Sequence, residues 1–388
     1  MLATFVSVAT FVTILCFTGF LKVWEWNVLE QFFALRPLEA PDKRIIIVTI
    51  DEEDITQVGK WPIPDAVLAQ LLTKLKAQQP AAIGLDMYRD LPVEPGYQQL
   101  VAVMKSTPNL IGVKKLAGDS VAPSPTLSEK EQIALSDFVL DTDGRVRRGL
   151  LSAGDRNGKI FLGLAARLSL IYLEAKGISI EALDQTRTSL RLGKAIFTPL
   201  KGNEFSYRGA DVGGYQILLN YRNFQERFDT VTMRDILNNS VSQDLVRDRI
   251  VLIGTTAKSI NDFFNVAYNP KFHKDAEPMA GVVLHANLTS QILSAALDGR
   301  PQIKILSDYM EEFLIFGWSG IGVLLIWRSR SRLTSITSIL LISTTLTGIY
   351  YLAFLNGWFL PLISSLLALL GSAISASLVK KGHIISDL

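Results

Sequence analysis

Residues 44–51 read RIIIVTID, residues 63–79 read IPDAVLAQLLTKLKAQQ and residues 80–87 read PAAIGLDM. The first is an unbroken run rich in β-branched residues, of the kind that fills a strand covered on both faces. In the second, Ile63, Val67, Leu68, Leu71, Leu72 and Leu75 recur at helical spacing, and Asp65 stands near the N-terminal end, where a carboxylate is favoured. Pro80 stops this helix, and residues 81–87 read as the next strand. Strand, helix and strand in so short a span predict a right-handed βαβ unit with a parallel sheet.

The pattern continues outward. Residues 97–105 read as a helix and 110–116 as a strand, followed by a loop around Gly118, Pro123 and Pro125. Asp141-Thr-Asp-Gly-Arg145 predicts a tight turn into a strand over 146–151, and residues 161–172 read as helix. Between 177 and 222 short alternating runs broken by glycines predict hairpins. The α/β rhythm returns with a helix over 233–238, a strand over 249–254 ending at Thr255-Thr256, and a helix over 282–297. The expected fold is α/β, a mainly parallel sheet with a mixed or antiparallel insertion.

Beyond this middle, charge disappears. Residues 2–21 carry no charged side chain, enough for about 30 Å of hydrocarbon at roughly 1.5 Å per residue. The segment lacks a basic start and runs into Leu21-Lys22-Val23-Trp24, so it reads as an anchor rather than a signal peptide. Residues 333–379 are again uncharged, with Asn356-Gly357 as a turn between two spans. The shorter run 313–327, with Trp318 and Trp327, reads as a further span. Buried core helices are the rival reading, and the length of uncharged sequence weighs against it. Arg328, Arg330 and Arg332 after the second span and Lys380-Lys381 after the fourth place those loops in the cytoplasm. The same arginines suit anionic headgroups, but fixing topology is their plainer duty. The expected division is a membrane helix at 1–24, an extracytoplasmic domain at 25–308, and three membrane helices with a short cytoplasmic tail at 309–388. A bacterial inner membrane fits apolar strands without disulfides.

Composition excludes several classes. A net charge of +2 with 48% hydrophobic residues argues against both a nucleic-acid binder and a disordered chain. The single cysteine, Cys16, lies inside an apolar run, so no intrachain disulfide or cysteine metal site is available.

Asp51 and Asp86 end two strands of the expected sheet, and ligands in open α/β sheets sit outside the carboxyl ends of strands. With Glu52, Thr255 and Thr256 they form the candidate ligand pocket. A second reading gives the carboxylates to Mg²⁺, and a third has them cap helices or pair with Arg89. Asp141-x-Asp143-Gly144 matches the start of a Ca²⁺ loop but has Ser152 at loop position twelve, and a hairpin turn accounts for it. His285, among apolar neighbours, reads as structural; with His273 as its one companion outside the apolar ends, a His-rich zinc site is not available. Nucleophile-elbow, phosphate-loop, zincin and dinucleotide motifs are missing from the sequence, and Glu53 stands where an aspartyl phosphotransferase needs a second Asp. No catalytic residue, metal or cofactor is expected.

Several stretches together carry a resemblance. They are Ile47-VTIDEED-Ile55, Val58-GKWP-Ile63, Pro80-AAIGLDMY, Asp141-TDGRVRRGL-Leu151, Arg249-IVLIGTTA, Asn261-Asp262-Phe263 and Met279-AGVVLHANL-Thr289. In this order, over most of residues 43–290, the chain resembles the second type of CHASE domain, the cyclase/histidine-kinase-associated sensing extracellular domain. Three closing spans are also typical of that family. The resemblance implies a sensor and supplies no ligand. Such domains usually precede a cytoplasmic kinase or cyclase, whereas here the sequence given stops soon after Lys381. It reads either as a stand-alone sensor acting through partners or as a shortened receptor.

The expectation is a non-catalytic transmembrane sensor. A small-molecule or protein stimulus acts on the outer domain, and a cytoplasmic or membrane output partner, or a second copy in a homodimer, reads the change. Small and polar residues in the last spans, among them Gly348, Gly371, Ser372 and Ala373, suit close helix packing in lipid. A membrane-tethered hydrolase and an assembly scaffold are the alternatives.

Overall fold

The computed structural model describes residues 2–186, 188–222, 228–267 and 278–386. They form two compact units, an α/β unit of residues 37–200 and 213–302 and a helical unit of residues 1–36, 201–212 and 303–388. The units divide in sequence at 36/37 and 302/303, and the short excursion 201–212 joins the helical unit.

The α/β unit is built on a six-stranded sheet in the spatial order Asp229–Thr232, Ile45–Ile50, Ile250–Thr255, Ala82–Asp86, Leu110–Lys114, Ile133–Leu135. Every neighbouring pair is parallel. The strand Ile250–Thr255 inserts between the two strands of the first βαβ unit, with Gly254 opposite Asp86. Side chains alternate across this sheet. Ile46, Val48, Ile50, Ile83, Leu85, Val251 and Ile253 face one way, into a core with Leu68, Leu71, Leu72 and Leu75 of the Asp65–Ala77 helix. Gly84 and Gly254 face the other way. A Cβ on Gly84 would lie 2.6 Å from Leu168 Cδ1, and one on Gly254 would lie 2.6 Å from Val282 Cβ. Both glycines therefore let the helices Leu164–Glu174 and Gly281–Asp298 close onto the sheet.

The expected hairpins are present as a three-stranded antiparallel sheet of Ile180–Ala182, Leu190–Leu192 and Ala195–Phe197. A further mixed sheet centres on the strand Arg145–Gly154, which pairs antiparallel with Tyr215–Leu218 and parallel with Phe263–Val266. Its first half is held by a buried network. Asp141 accepts from Arg147 Nη1 at 3.1 Å and from Arg148 Nε at 2.8 Å, while Arg147 also bonds Asp143 at 2.7 Å. The Asp-x-Asp-Gly turn thus serves two arginines of its own strand.

In the helical unit, Asp308–Arg328, Arg332–Leu355 and Leu362–Lys381 are each long and apolar enough to cross a membrane. The first expected span differs from its prediction as one helix over 2–21. It is a pair, Leu2–Phe17 and Lys22–Leu35, bent by 82°. Gly19 has a φ of +73° and Phe20 N donates to Leu15 O at 3.1 Å, the 6→1 bond of a Schellman ending. Mean hydropathy does not register such a stop.

Of the small residues expected in the last spans, Gly371 and Ser372 pack against neighbouring helices, whereas a Cβ on Gly348 would meet nothing within 4 Å among the described residues. A Cβ on Gly322 would meet Ser372 Oγ and the backbone oxygen of Leu369. Tyr350 OH lies 3.1 Å from Trp318 Nε1 and 3.0 Å from Ser365 Oγ, linking the three spans. Lys380 Nζ donates to the carbonyls of Ile326 at 3.0 Å and Ser329 at 2.8 Å, so both basic clusters lie at one end of the unit. At the other end Lys304–Ile305 pairs with Trp358–Phe359, beside the Asn356-Gly357 turn.

Candidate functional site

The residues singled out at the carboxyl edge of the sheet do not share one environment. Asp51 is the N-cap of the helix Glu52–Val58, in a capping box with Asp54. Both its oxygens accept from Arg234 Nη1, at 2.7 and 2.8 Å. Burial draws the Asp51 carboxyl upward, but the Arg234 bonds and the Asp54 amide outweigh it and hold the group below the usual carboxylate range. Glu52 accepts from Ser259 N at 2.7 Å and Ser259 Oγ at 3.0 Å. Thr255 Oγ1 donates to Ile50 O at 3.3 Å and accepts from Ala257 N at 3.1 Å, and Thr256 N donates to Ile50 O at 3.0 Å. All four are thus engaged in shaping the strand ends. Arg89, the expected partner of an acidic strand end, lies 3.7 Å from Asp65.

Asp86 is different. Its side chain is 9% exposed, and Oδ2 has no hydrogen-bond partner among the described residues. Nearby, His285 Nε2 lies 3.7 Å from Asp86 Oδ1, and neither ring nitrogen has a hydrogen-bond partner among the described residues. The His285 ring packs on Phe138 at 4.5 Å between centroids, and Phe138 packs edge-on against Phe264 at 4.8 Å. Asp262 completes the cluster from the start of the strand Phe263–Val266. Its backbone oxygen accepts from Gly281 N at 3.1 Å, and a Cβ on Gly281 would lie 2.7 Å from its Oδ2. The carboxylate thereby rests on the N-terminus of the helix Gly281–Asp298, where negative charge is favoured.

The electrostatics follow from this burial. Loss of solvent, and then the charge of Asp262, hold the Asp86 carboxyl well above the usual carboxylate range. Burial also raises Asp262 and drops His285 to about 3. At neutral pH the site therefore presents a neutral imidazole beside two carboxyl groups that disfavour simultaneous ionisation. Tyr88, bonded to Ser136 at 2.8 Å, is raised by burial and feels the same carboxylates. The arrangement can accept hydrogen bonds and compensate positive charge. A Ser, Cys or Lys nucleophile is not part of it, and no trio of His, Cys, Asp or Glu able to hold a metal occurs among the described residues.

Of the expected pocket, then, Asp86 alone stands in the cluster. Asp262 and His285 were visible within the quoted stretches, but their meeting depends on two strands and a helix remote in sequence. His273 lies outside the described residues. Two cavities in the α/β unit lie elsewhere, an apolar one of about 80 Å³ lined by Leu151, Leu170 and Ile292, and a larger, more polar one of about 300 Å³ beside Lys114, Lys159 and Arg167.

Residues 7–324 match the family described as the CHASE2 domain. The match extends beyond the α/β unit into the first and third-last apolar helices. No curated protein and no solved structure matches the chain.

Proposed function

Because the chain belongs to the CHASE2 domain family, we propose that it is a membrane sensor whose α/β unit takes up a small organic cation at Asp86, Asp262 and His285. The observation that carries this reading is Asp86 Oδ2 and both ring nitrogens of His285, buried side by side and without hydrogen-bond partners among the described residues. An ammonium group brings three donors and the missing positive charge. Phe138, packed on the His285 ring, and Phe264 beside it bring aromatic surface close to the site, which such cations favour. The role is one of binding rather than catalysis.

Lys380 and the arginines of residues 328–332, gathered at one end of the helical unit, support a cytoplasmic placement of that end and an extracytoplasmic α/β unit. A separate output protein, or a second copy of this chain, then reads a change in helix packing that the ligand favours.

The test is a thermal-shift titration of the full chain in nanodiscs with methylamine, ethanolamine and putrescine. A bound amine at about 100 times its dissociation constant adds roughly 2.7 kcal/mol. A saturable rise that Asp86→Asn removes and Asp51→Asn keeps supports the site. Equal shifts in both variants, or none with any amine, would count against it.

A further inference from the structure

We propose that the α/β unit carries a site for a small organic dianion, apart from the Asp86 cluster, in the cavity beside Lys114, Lys159 and Arg167. The cavity measures about 300 Å³, at the lower end of the roughly 300–1,000 Å³ of small-molecule sites. Three stretches of chain meet there. Lys114 is the last residue of the strand Leu110–Lys114, and Glu131 lies between the short helix Pro125–Ser128 and the strand Ile133–Leu135. Lys159 precedes the strand Ile160–Leu162, which holds Phe161, and Arg167 follows on the helix Leu164–Glu174.

The charge of the lining decides what fits. Three basic side chains stand against one acid, Glu131, so two positive charges are uncompensated within the cavity wall. Among the described residues, none of the three cationic heads is ion-paired with Glu131 or with any other acid. Arg167 Nε is buried and has no hydrogen-bond partner among the described residues. A charged donor left unmatched is costly, and a carboxylate or phosphate oxygen supplies what it lacks. The two ammonium groups gather about one ring, with Lys114 Nζ 4.0 Å and Lys159 Nζ 5.3 Å from the centre of Phe161. A ring attracts such cations by its quadrupole without neutralising them, so an anion among them gains from both.

The residue types narrow the ligand further. A guanidinium offers a planar fork that matches carboxylate and phosphate, while the ammonium groups act as point charges around it. Ile133, Leu162 and Phe161 add apolar lining, which suits a carbon body better than a bare inorganic ion. The excess charge sits in a cavity rather than along a surface stripe, which favours a small molecule over a polyanion. A dicarboxylate and a phosphate monoester share the required chemistry, two negative charges on a small organic frame.

The experiment is isothermal titration calorimetry of the full chain in phosphatidylcholine nanodiscs at fixed ionic strength, with succinate, glycerol phosphate and acetate as probes. We expect a saturable heat with succinate, with glycerol phosphate or with both, and weaker binding of acetate. Succinate alone assigns a dicarboxylate, glycerol phosphate alone a phosphate monoester, and both together the shared dianion chemistry. Arg167→Gln should raise the dissociation constant on the order of tenfold, about 1.4 kcal/mol. Lys159→Gln, at an exposed position, should raise it severalfold while leaving the fold intact. Glu131→Gln removes the opposing charge and should tighten binding, a gain that loss of structure does not produce. Asp86→Asn should leave the anion heats unchanged, so this site and the amine site stand or fall separately. No saturable heat with either dianion in the folded wild-type chain would overturn the proposal. So would acetate binding as tightly as the dianions, or heats unaltered by the Arg167, Lys159 and Glu131 substitutions.

Discussion

Replacing His285 by Gln should change the acid stability of the α/β unit in a way that isolates one proton. The ring is almost fully buried, and burial takes its pKa from 6.5 to about 3. Below pH 6.5 the unfolded chain binds a proton that the folded chain refuses. Stability is therefore complete above 6.5 and is lost as pH falls toward 3. A gap of that size corresponds to on the order of 5 kcal/mol, accumulating at roughly 1.4 kcal/mol per pH unit. Gln keeps an amide near the position of Nε2 and does not titrate. The assay is thermal unfolding of wild type and His285→Gln in nanodiscs between pH 7.5 and pH 4, followed by tryptophan fluorescence. The variant loses stability at neutral pH, but the difference shrinks as pH falls. At roughly 2–4 °C per kcal/mol, the two Tm curves should converge by about 3–6 °C per pH unit below 6.5. Repeating the pair on an Asp86→Asn background removes the carboxylate 3.7 Å away. Curves that stay parallel on both backgrounds would refute the claim that burial keeps this imidazole neutral.

Asp86→Asn should act with the opposite sign. The folded-state pKa is raised by burial, so wild-type stability falls as pH rises through that window, and the variant gains relative to wild type at pH 8 but not at pH 3, as read by Tm. Asp141→Ala withdraws the carboxylate bonded to two buried arginines and should cost about 3–5 kcal/mol in denaturant unfolding. Asp143→Ala, whose side chain is 28% exposed, should cost about 1 kcal/mol or less. Gly254→Ala places a methyl 2.6 Å from Val282 Cβ, an overpacking expected to cost about 1–3 kcal/mol and to displace the N-terminal turn that carries Gly281.

The parts of this fold that declare themselves in sequence are those whose burial is periodic. The run of residues 45–50, the apolar face of 65–77 and the strand 82–86 are all found within a residue or two of their expected places, because one element's side-chain period decides each of them. Sheet order is less legible. Nothing local to residues 250–255 says that this strand inserts between the first two. The bend at Gly19 was hidden because the residues around it are as apolar as a continuous span requires. Asp86 was identifiable as a strand-end acid, but so was Asp51, and their environments differ because of Arg234, which lies far away in sequence. Asp262 and His285 carry no local sign of meeting Asp86. Their proximity is a property of the assembled sheet and of the helix that Gly254 allows to settle on it.

The division of the chain also bears on the order in which it can be made. The helical unit draws on residues 1–36, 201–212 and 303–388. A ribosome therefore releases the Lys22–Leu35 helix, with Glu25 and Glu30, long before the Arg332–Leu355 and Leu362–Ser386 helices that pack on it exist. During that interval two acidic side chains destined for burial are without their final shelter, and the whole α/β unit is synthesised in the meantime. Insertion of the first helix is thus separated from its packing by most of translation. A chain stalled or cleaved before residue 308 would leave behind an incomplete bundle with its acids uncovered, the kind of surface that membrane quality control recognises.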